Sequence, residues 1–171
     1  MENRNTKVGI VACSGEEIPE GTLSRLATRR VLEALRPQQT VTLCLPLFLA
    51  GGEGERRFAR EHPTITIDGC AKLCAKRGTE QHSGPVSASL VVSDILGDRA
   101  KKCHRSARDF DRADEEAIWI LAERIAAEVD RLADSSETSE QAPASQAACS
   151  CACGAPPPEA SLTIGDHEVV V

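Results

Sequence analysis

Apolar residues recur along the chain in two rhythms. Lys7–Ala12 (K-V-G-I-V-A), Thr40–Leu45 (T-V-T-L-C-L), Thr64–Ile67 (T-I-T-I) and an apolar stretch within Val86–Ile95 are short runs rich in β-branched and aliphatic residues, and read as strands. Segments of helical period lie between them. Leu23, Leu26, Ala27, Val31, Ala34 and Leu35 predict a helix over Thr22–Leu35, with Thr22 as N-cap and Pro37 as the stop. Glu53–Glu61 is a weaker helix broken by His62-Pro63, and Cys70–Arg77 reads as a helix ending near Gly78. The clearest element is Asp114–Leu132, where Ile118, Leu121, Ile125, Val129 and Leu132 share one face. Asp114, Glu115 and Glu116 fill its first turn, where the helix dipole favours negative charge. Short strands alternating with helices predict an α/β fold, a small and mainly parallel sheet flanked by helices.

Beyond this helix the pattern dissolves. From Ser135 the chain turns to Ser, Ala, Gln, Glu and Pro, through Pro156-Pro157-Pro158, which is the composition of a linker. The expected division is therefore a domain over 1–133, a linker over 134–160 carrying Cys149-Ser150-Cys151-Ala152-Cys153, and a hairpin-like segment over 161–171. That last segment reads L-T-I, Gly165-Asp166, H-E-V-V-V. A lone hairpin cannot bury itself, so it is expected to dock on another surface or to continue into further sequence.

Composition narrows the class. Of 171 residues 41% are apolar but only 2% aromatic, with no Tyr, so the core must be built from Val, Ile, Leu and Ala. This mixture excludes disordered and collagen-like chains. No apolar run approaches the roughly 20 residues of a membrane helix. The charged start, Met1-Glu2-Asn3-Arg4, is not that of a signal peptide. A reducing, cytoplasmic setting without membrane association is expected. The net charge of −6 is unevenly spread: residues 1–105 hold 16 basic and 12 acidic groups, residues 106–171 hold 4 and 14. The weakly positive part lacks stacking aromatics, which argues against nucleic acid as a partner.

Cysteine is where chemistry enters. There are eight, without an export signal and without a Cys-x-x-Cys pair of thioredoxin type. Cys13 follows the first predicted strand, Cys44 ends the second and Cys70 follows the third, so a parallel sheet brings them to one edge. Cys74, four residues beyond Cys70, would lie on the same helical face about 5–6 Å away. Four thiols at one edge suit tetrahedral Zn²⁺, whose bonds of about 2.3 Å set sulfurs just under 4 Å apart. Cys70 would open the helix, and Lys72 and Lys76 could offset the charge of four thiolates. Asp68 could orient the backbone, although Asp-Gly ahead of a helix ordinarily serves as turn and cap.

The remaining candidates are poorer. Cys103 with His104, in K-K-C-H-R, reads as incidental in a charged surface stretch. His62, His82 and His167 have no ligand-like spacing and read as solvated. A Cys-x₅-Arg phosphatase or arsenate reductase loop is excluded, because the sixth residues after Cys13, Cys44 and Cys70 are Pro19, Ala50 and Lys76. P-loop, dinucleotide and Gly-x-Ser-x-Gly signatures are absent.

Cys13-Ser14-Gly15, Cys44-Leu45-Pro46 and Ile67-Asp68-Gly69-Cys70-Ala71-Lys72-Leu73-Cys74-Ala75-Lys76 together resemble the DGC-domain family over about residues 7–97. These are prokaryotic proteins taken to bind zinc and named for Asp-Gly-Cys. The resemblance implies four cysteine ligands, Cys13, Cys44, Cys70 and Cys74, and no established reaction. The expectation is thus a zinc-binding module without demonstrated catalysis. The alternative is a thiol-based redox enzyme or sulfur carrier using Cys70 and Cys74, or the tail cysteines Cys149, Cys151 and Cys153, which could also wrap a thiophilic ion or pass it on.

Overall fold

The structure, a computed structural model, describes residues 7–15 and 17–139. The Cys-x-Cys-x-Cys segment, the hairpin-like residues 161–171 and His167 lie outside them. The elements run β1 (Val8–Ala12), α1 (Pro19–Arg30) continued by a π-helical turn (Val31–Leu35), β2 (Thr40–Thr42), α2 (Leu45–Leu49) and α3 (Glu53–Glu61). Then come β3 (Thr64–Asp68), α4 (Cys74–His82), β4 (Ala88–Val91), α5 (Val92–Leu96), α6 (Asp98–Lys102) and α7 (Arg112–Ser139). The four described strands form one all-parallel sheet in the order β2-β1-β3-β4, an α/β architecture as the alternation predicts.

Alternation along the strands sorts the two faces. Val8 and Ile10 of β1 and Ile65 and Ile67 of β3 point into the main core, which α1 and α7 cover with Leu23, Ala27, Leu121, Ile125 and Val129. Val11 points the other way, onto Phe58 of α3 and Ala75 of α4. That second layer is thin. Phe58 reaches it only because Gly9 has no side chain: a Cβ there would lie 2.4 Å from the ring.

All five residues of the predicted α7 face are buried, and the helix runs on to Ser139. Its start is a capping box. Asp111 Oδ1 accepts the N–H groups of Ala113 (2.7 Å) and Asp114 (3.1 Å), and Asp114 accepts the N–H of Asp111 in return (2.8 Å). Farther along, the Arg36 guanidinium donates two bonds of 2.6 Å to the Asp130 carboxylate, tying the π-helical turn to α7. Those bonds hold Asp130 below the usual carboxylate range.

Two predicted boundaries move, and two short helices were not predicted. The first helix begins at Pro19 rather than being capped by Thr22, because proline's fixed φ suits the first helical position. The Thr22 hydroxyl instead donates to the carbonyl of Arg105 (2.9 Å). The second strand stops at Thr42, and Leu45 opens a short helix whose turn buries Phe48. The short α5 and α6 carry no periodicity long enough to be seen in the sequence.

Two measurements test this packing. Leu121→Ala should lower unfolding free energy by about 2–5 kcal/mol in urea titration; a loss well under 1 kcal/mol would mean α7 is not part of the core. The second concerns Asp114, which is 1% exposed and also accepts from the His104 backbone (2.8 Å), with the His104 ring Nδ1 2.8 Å away. Burial opposes its ionisation, but the Asp111 N–H and the His104 ring and N–H prevail and hold it at about 2. The same contact raises His104 above 6.5. Asp114 therefore stabilises the fold above the normal carboxylate range, and this is lost as pH falls toward 2. The His104 contribution is complete below 6.5 and disappears as pH rises through its raised pKa. Thermal midpoints of wild type and His104→Gln should converge as pH rises; a constant gap would refute the ion pair.

Candidate metal centre

Every connection leaving a strand of a parallel sheet starts at its carboxyl edge, and the cysteines occupy those connections. Cys13 directly follows β1, Cys44 lies between β2 and α2, Cys70 lies between β3 and α4, and Cys74 is the first residue of α4. Cys13 is buried, Cys70 half-buried, and Cys44 and Cys74 exposed.

The backbone around them is shaped by Asp68. This last residue of β3 is 1% exposed, and its carboxylate accepts the N–H groups of Ala75 (2.7 Å) and Lys76 (3.1 Å). It thereby caps α4 from across the loop, satisfying two donors that the helix itself leaves open. Burial raises its pKa, opposed by those two N–H groups and the Lys76 charge. To bring the start of α4 back over Asp68, the chain turns through Leu73, which adopts a left-handed conformation (φ 53°) with its N–H on the carbonyl of Cys70 (3.2 Å). Cys70 is consequently outside the helix. The expectation that Cys70 and Cys74 share a helical face fails, and Cys74, not Cys70, holds the N-terminal position.

Three glycines complete the edge. A Cβ on Gly21 would lie 2.0 Å from the carbonyl oxygen of Gly15, and one on Gly69 would lie 3.1 Å from the nitrogen of Gly21. The first turn of α1 is thus wedged by backbone contact between the Cys13 loop and the Asp68-Gly69-Cys70 loop. The Gly15 N–H donates to Cys13 Sγ (3.3 Å), and the buried Ser24 hydroxyl faces the carbonyls of Gly21 (2.8 Å) and Cys13 (3.3 Å).

Above this edge lies a cavity of about 330 Å³ whose wall includes Cys13 and Cys74, with Leu45, Phe48 and Leu49 opposite. Cys44 and Cys70 are not part of that wall. Among the described residues no three cysteine sulfurs lie within 4.8 Å of one another. The donor chemistry fits a thiophilic ion, but the four sulfurs are not gathered at the mutual spacing of just under 4 Å that a zinc tetrathiolate has. Rotation about χ1 moves a sulfur by up to about 3 Å, and Cys44 and Cys74 are exposed and free to make that move. Only His104, Asp111 and Asp114 bring three metal-competent atoms within 4.8 Å among the described residues, and these are engaged in capping α7.

Sequence reasoning misplaced three further groups. Cys103 is buried, not superficial; its thiol donates to the carbonyl of Arg99 (3.4 Å), and burial, with the Asp114 carboxylate, pushes it up to about 11. His62 is half-buried, with Nδ1 3.0 Å from the Lys7 carbonyl and its ring against Phe58. His82 is half-buried too, edge-on to Phe48. Local polarity could not reveal these contacts.

A family model for the DGC domain matches residues 9–120. The chain belongs to the DGC domain family. No curated protein and no solved structure matches it significantly. The matched span of this DGC domain holds all four edge cysteines and extends past residue 97 into α7, while the tail cysteines fall beyond it. Within the motif the roles are separable: Asp68 caps, Gly69 permits contact with α1, and Cys70 is left in the loop.

Asp68→Ala would leave two N–H groups of α4 without their acceptor. It should cost about 2 kcal/mol or more in denaturant unfolding, and should speed alkylation of Cys70 as the loop loosens. An unchanged alkylation rate would show that the cap does not hold this loop.

Proposed function

We propose that the protein is a metal-binding module holding one zinc ion through the thiolates of Cys13, Cys44, Cys70 and Cys74. The observation that carries this reading is that Cys13 and Cys74, from distant parts of the chain, face one cavity at the carboxyl edge. The connections bearing Cys44 and Cys70 leave the same edge. Thiolates are the soft donors zinc prefers, and Lys72 and Lys76 beside the pair offset their charge. Zinc, when bound, would supply folding free energy to a domain short of aromatic core and draw the three loops together. With four protein sulfurs the site is closed, which favours a structural or metal-handling role over hydrolysis. We place this module in the reducing cytoplasm of a prokaryote. The exposed, free Cys74 and Cys44 support a second reading: free thiols in redox chemistry or sulfur transfer.

The purified full chain should carry about one zinc, with four thiols shielded from alkylation until a chelator is added. Serine at Cys13, Cys44, Cys70 or Cys74 should abolish retention, whereas the triple variant C149S/C151S/C153S should keep it. A metal-free protein in which Cys70 and Cys74 alkylate rapidly at neutral pH would overturn the zinc reading in favour of the thiol one.

A further inference from the structure

Two cavities adjoin on the side of the sheet away from α1 and α7. The first is the cavity at the carboxyl edge, whose wall contains no charged side chain. Leu49 belongs to that wall and is 65% exposed, and Leu47 of the same helix is 47% exposed. Among the described residues only Trp119 joins them as a large exposed hydrophobe. Gly78 of α4 also lines it, and a Cβ there would meet nothing within 4 Å, so the space runs on along α4. One turn farther, His82 stands edge-on to Phe48 of the first cavity (6.0 Å) and lines a second cavity of about 580 Å³. This one is basic: Arg56, Arg57 and Arg60 of α3 line it, with Glu53 as its one acid. Arg57 is paired with Glu61 (3.1 Å), whereas Arg60 donates to the neutral carbonyl of Ser83 (2.6 Å) and keeps its charge. The face thus presents an apolar trough beside an arginine groove, and exposed leucines gathered at a trough mark a surface that something covers.

The sequence beyond the described residues has the complementary chemistry. Residues 162–171 carry Leu162, Ile164, Val169, Val170 and Val171, with Asp166 and Glu168 set among them, and no lysine or arginine occurs from Leu132 onward. Reach is sufficient. The 23 steps from Ser139 to Leu162 span up to roughly 75 Å, whereas halfway round a domain of this size is roughly 55–60 Å. We infer that residues 162–171 dock on the α2–α4 face of their own chain, with the valines and Leu162 on Leu47, Leu49 and the apolar trough, and Asp166 and Glu168 toward the arginine groove. Burial of the apolar side chains drives the contact, and the charges fix its direction along the face. The docked segment covers the side on which Cys13 and Cys74 stand and keeps water from it, as an apolar shell does around a metal site. The inference rests on the exposed leucines, the two cavities and the charge match, and it holds whether or not zinc occupies the thiols.

Hydrogen–deuterium exchange of the full chain, read peptide by peptide, tests the contact. In V169D/V171D the peptides covering Leu45–Leu49 and Gly78–His82 should exchange about tenfold faster than in wild type, with α7 unchanged. Arg56→Glu should also speed exchange at α2, and D166R/E168R in the same chain should restore it. Carbodiimide should join the amine introduced by Arg56→Lys to Asp166 or Glu168, and a mixture of ¹⁵N-labelled and unlabelled chains should give no mixed product. Unchanged exchange at α2, acceleration that extends equally to α7, or no rescue by the charge swap would overturn the inference. A product joining labelled to unlabelled chains would overturn it in favour of docking on a second copy. Exchange is measured both as purified and after chelator treatment, and metal content separately, so a missing zinc and a missing contact are told apart.

Discussion

The carboxylate of Asp68 is the constraint on which the carboxyl edge depends. A buried charge is tolerable only with strong partners, and Asp68 finds two in the first turn of α4. Meeting that requirement bends the chain back on itself, puts Leu73 in the left-handed region and leaves Cys70 in a loop. It also fixes Gly69 against the nitrogen of Gly21, so that α1 is seated by the same turn. One acid thus determines where two cysteines stand and how a third loop, carrying Cys13, approaches them.

The two faces of the sheet are unequal in a way that suits this edge. On one side α1 and α7 bury a continuous aliphatic core, in which area burial can compensate for the scarcity of aromatic side chains. On the other side Val11, Phe58 and Ala75 form a small cluster and Phe48 of α2 is buried, while the short α2 leaves Leu47 and Leu49 exposed. Stability resides on the first side, while the second keeps space over the thiols.

The strands and α7 were readable because burial on one face imposes a period that survives in the sequence. Ile118, Leu121, Ile125, Val129 and Leu132 illustrate it, each of them buried. Parallel topology sends every strand's end to the same edge, and the connections that carry Cys13, Cys44 and Cys70 leave it there. Cys70 was misread because its segment has good helical composition: Asp-Gly read as turn and cap, but nothing local places the capped N–H groups as far on as Ala75 and Lys76. Cys103 was misread for a related reason: its neighbours Lys101, Lys102 and Arg105 are charged, yet its own side chain turns inward beneath α7. The wedge of Gly15, Gly21 and Gly69 was also missed, since three isolated glycines look like ordinary turns until their backbones meet.

By itself the sequence determined the α/β class, the sheet's parallel character, the helical face of α7 and the identity of the thiols, all set by periodicity and residue chemistry along the chain. Only the tertiary structure decided that Cys13 and Cys74 share a cavity while Cys44 and Cys70 stand outside its wall, and that the helix of the Asp-Gly-Cys motif begins at Cys74. Those outcomes depend on contacts between residues far apart in the chain, the buried carboxylate of Asp68 and the backbone contact of Gly15 with Gly21 among them. Their energies appear only when separate elements close on one another.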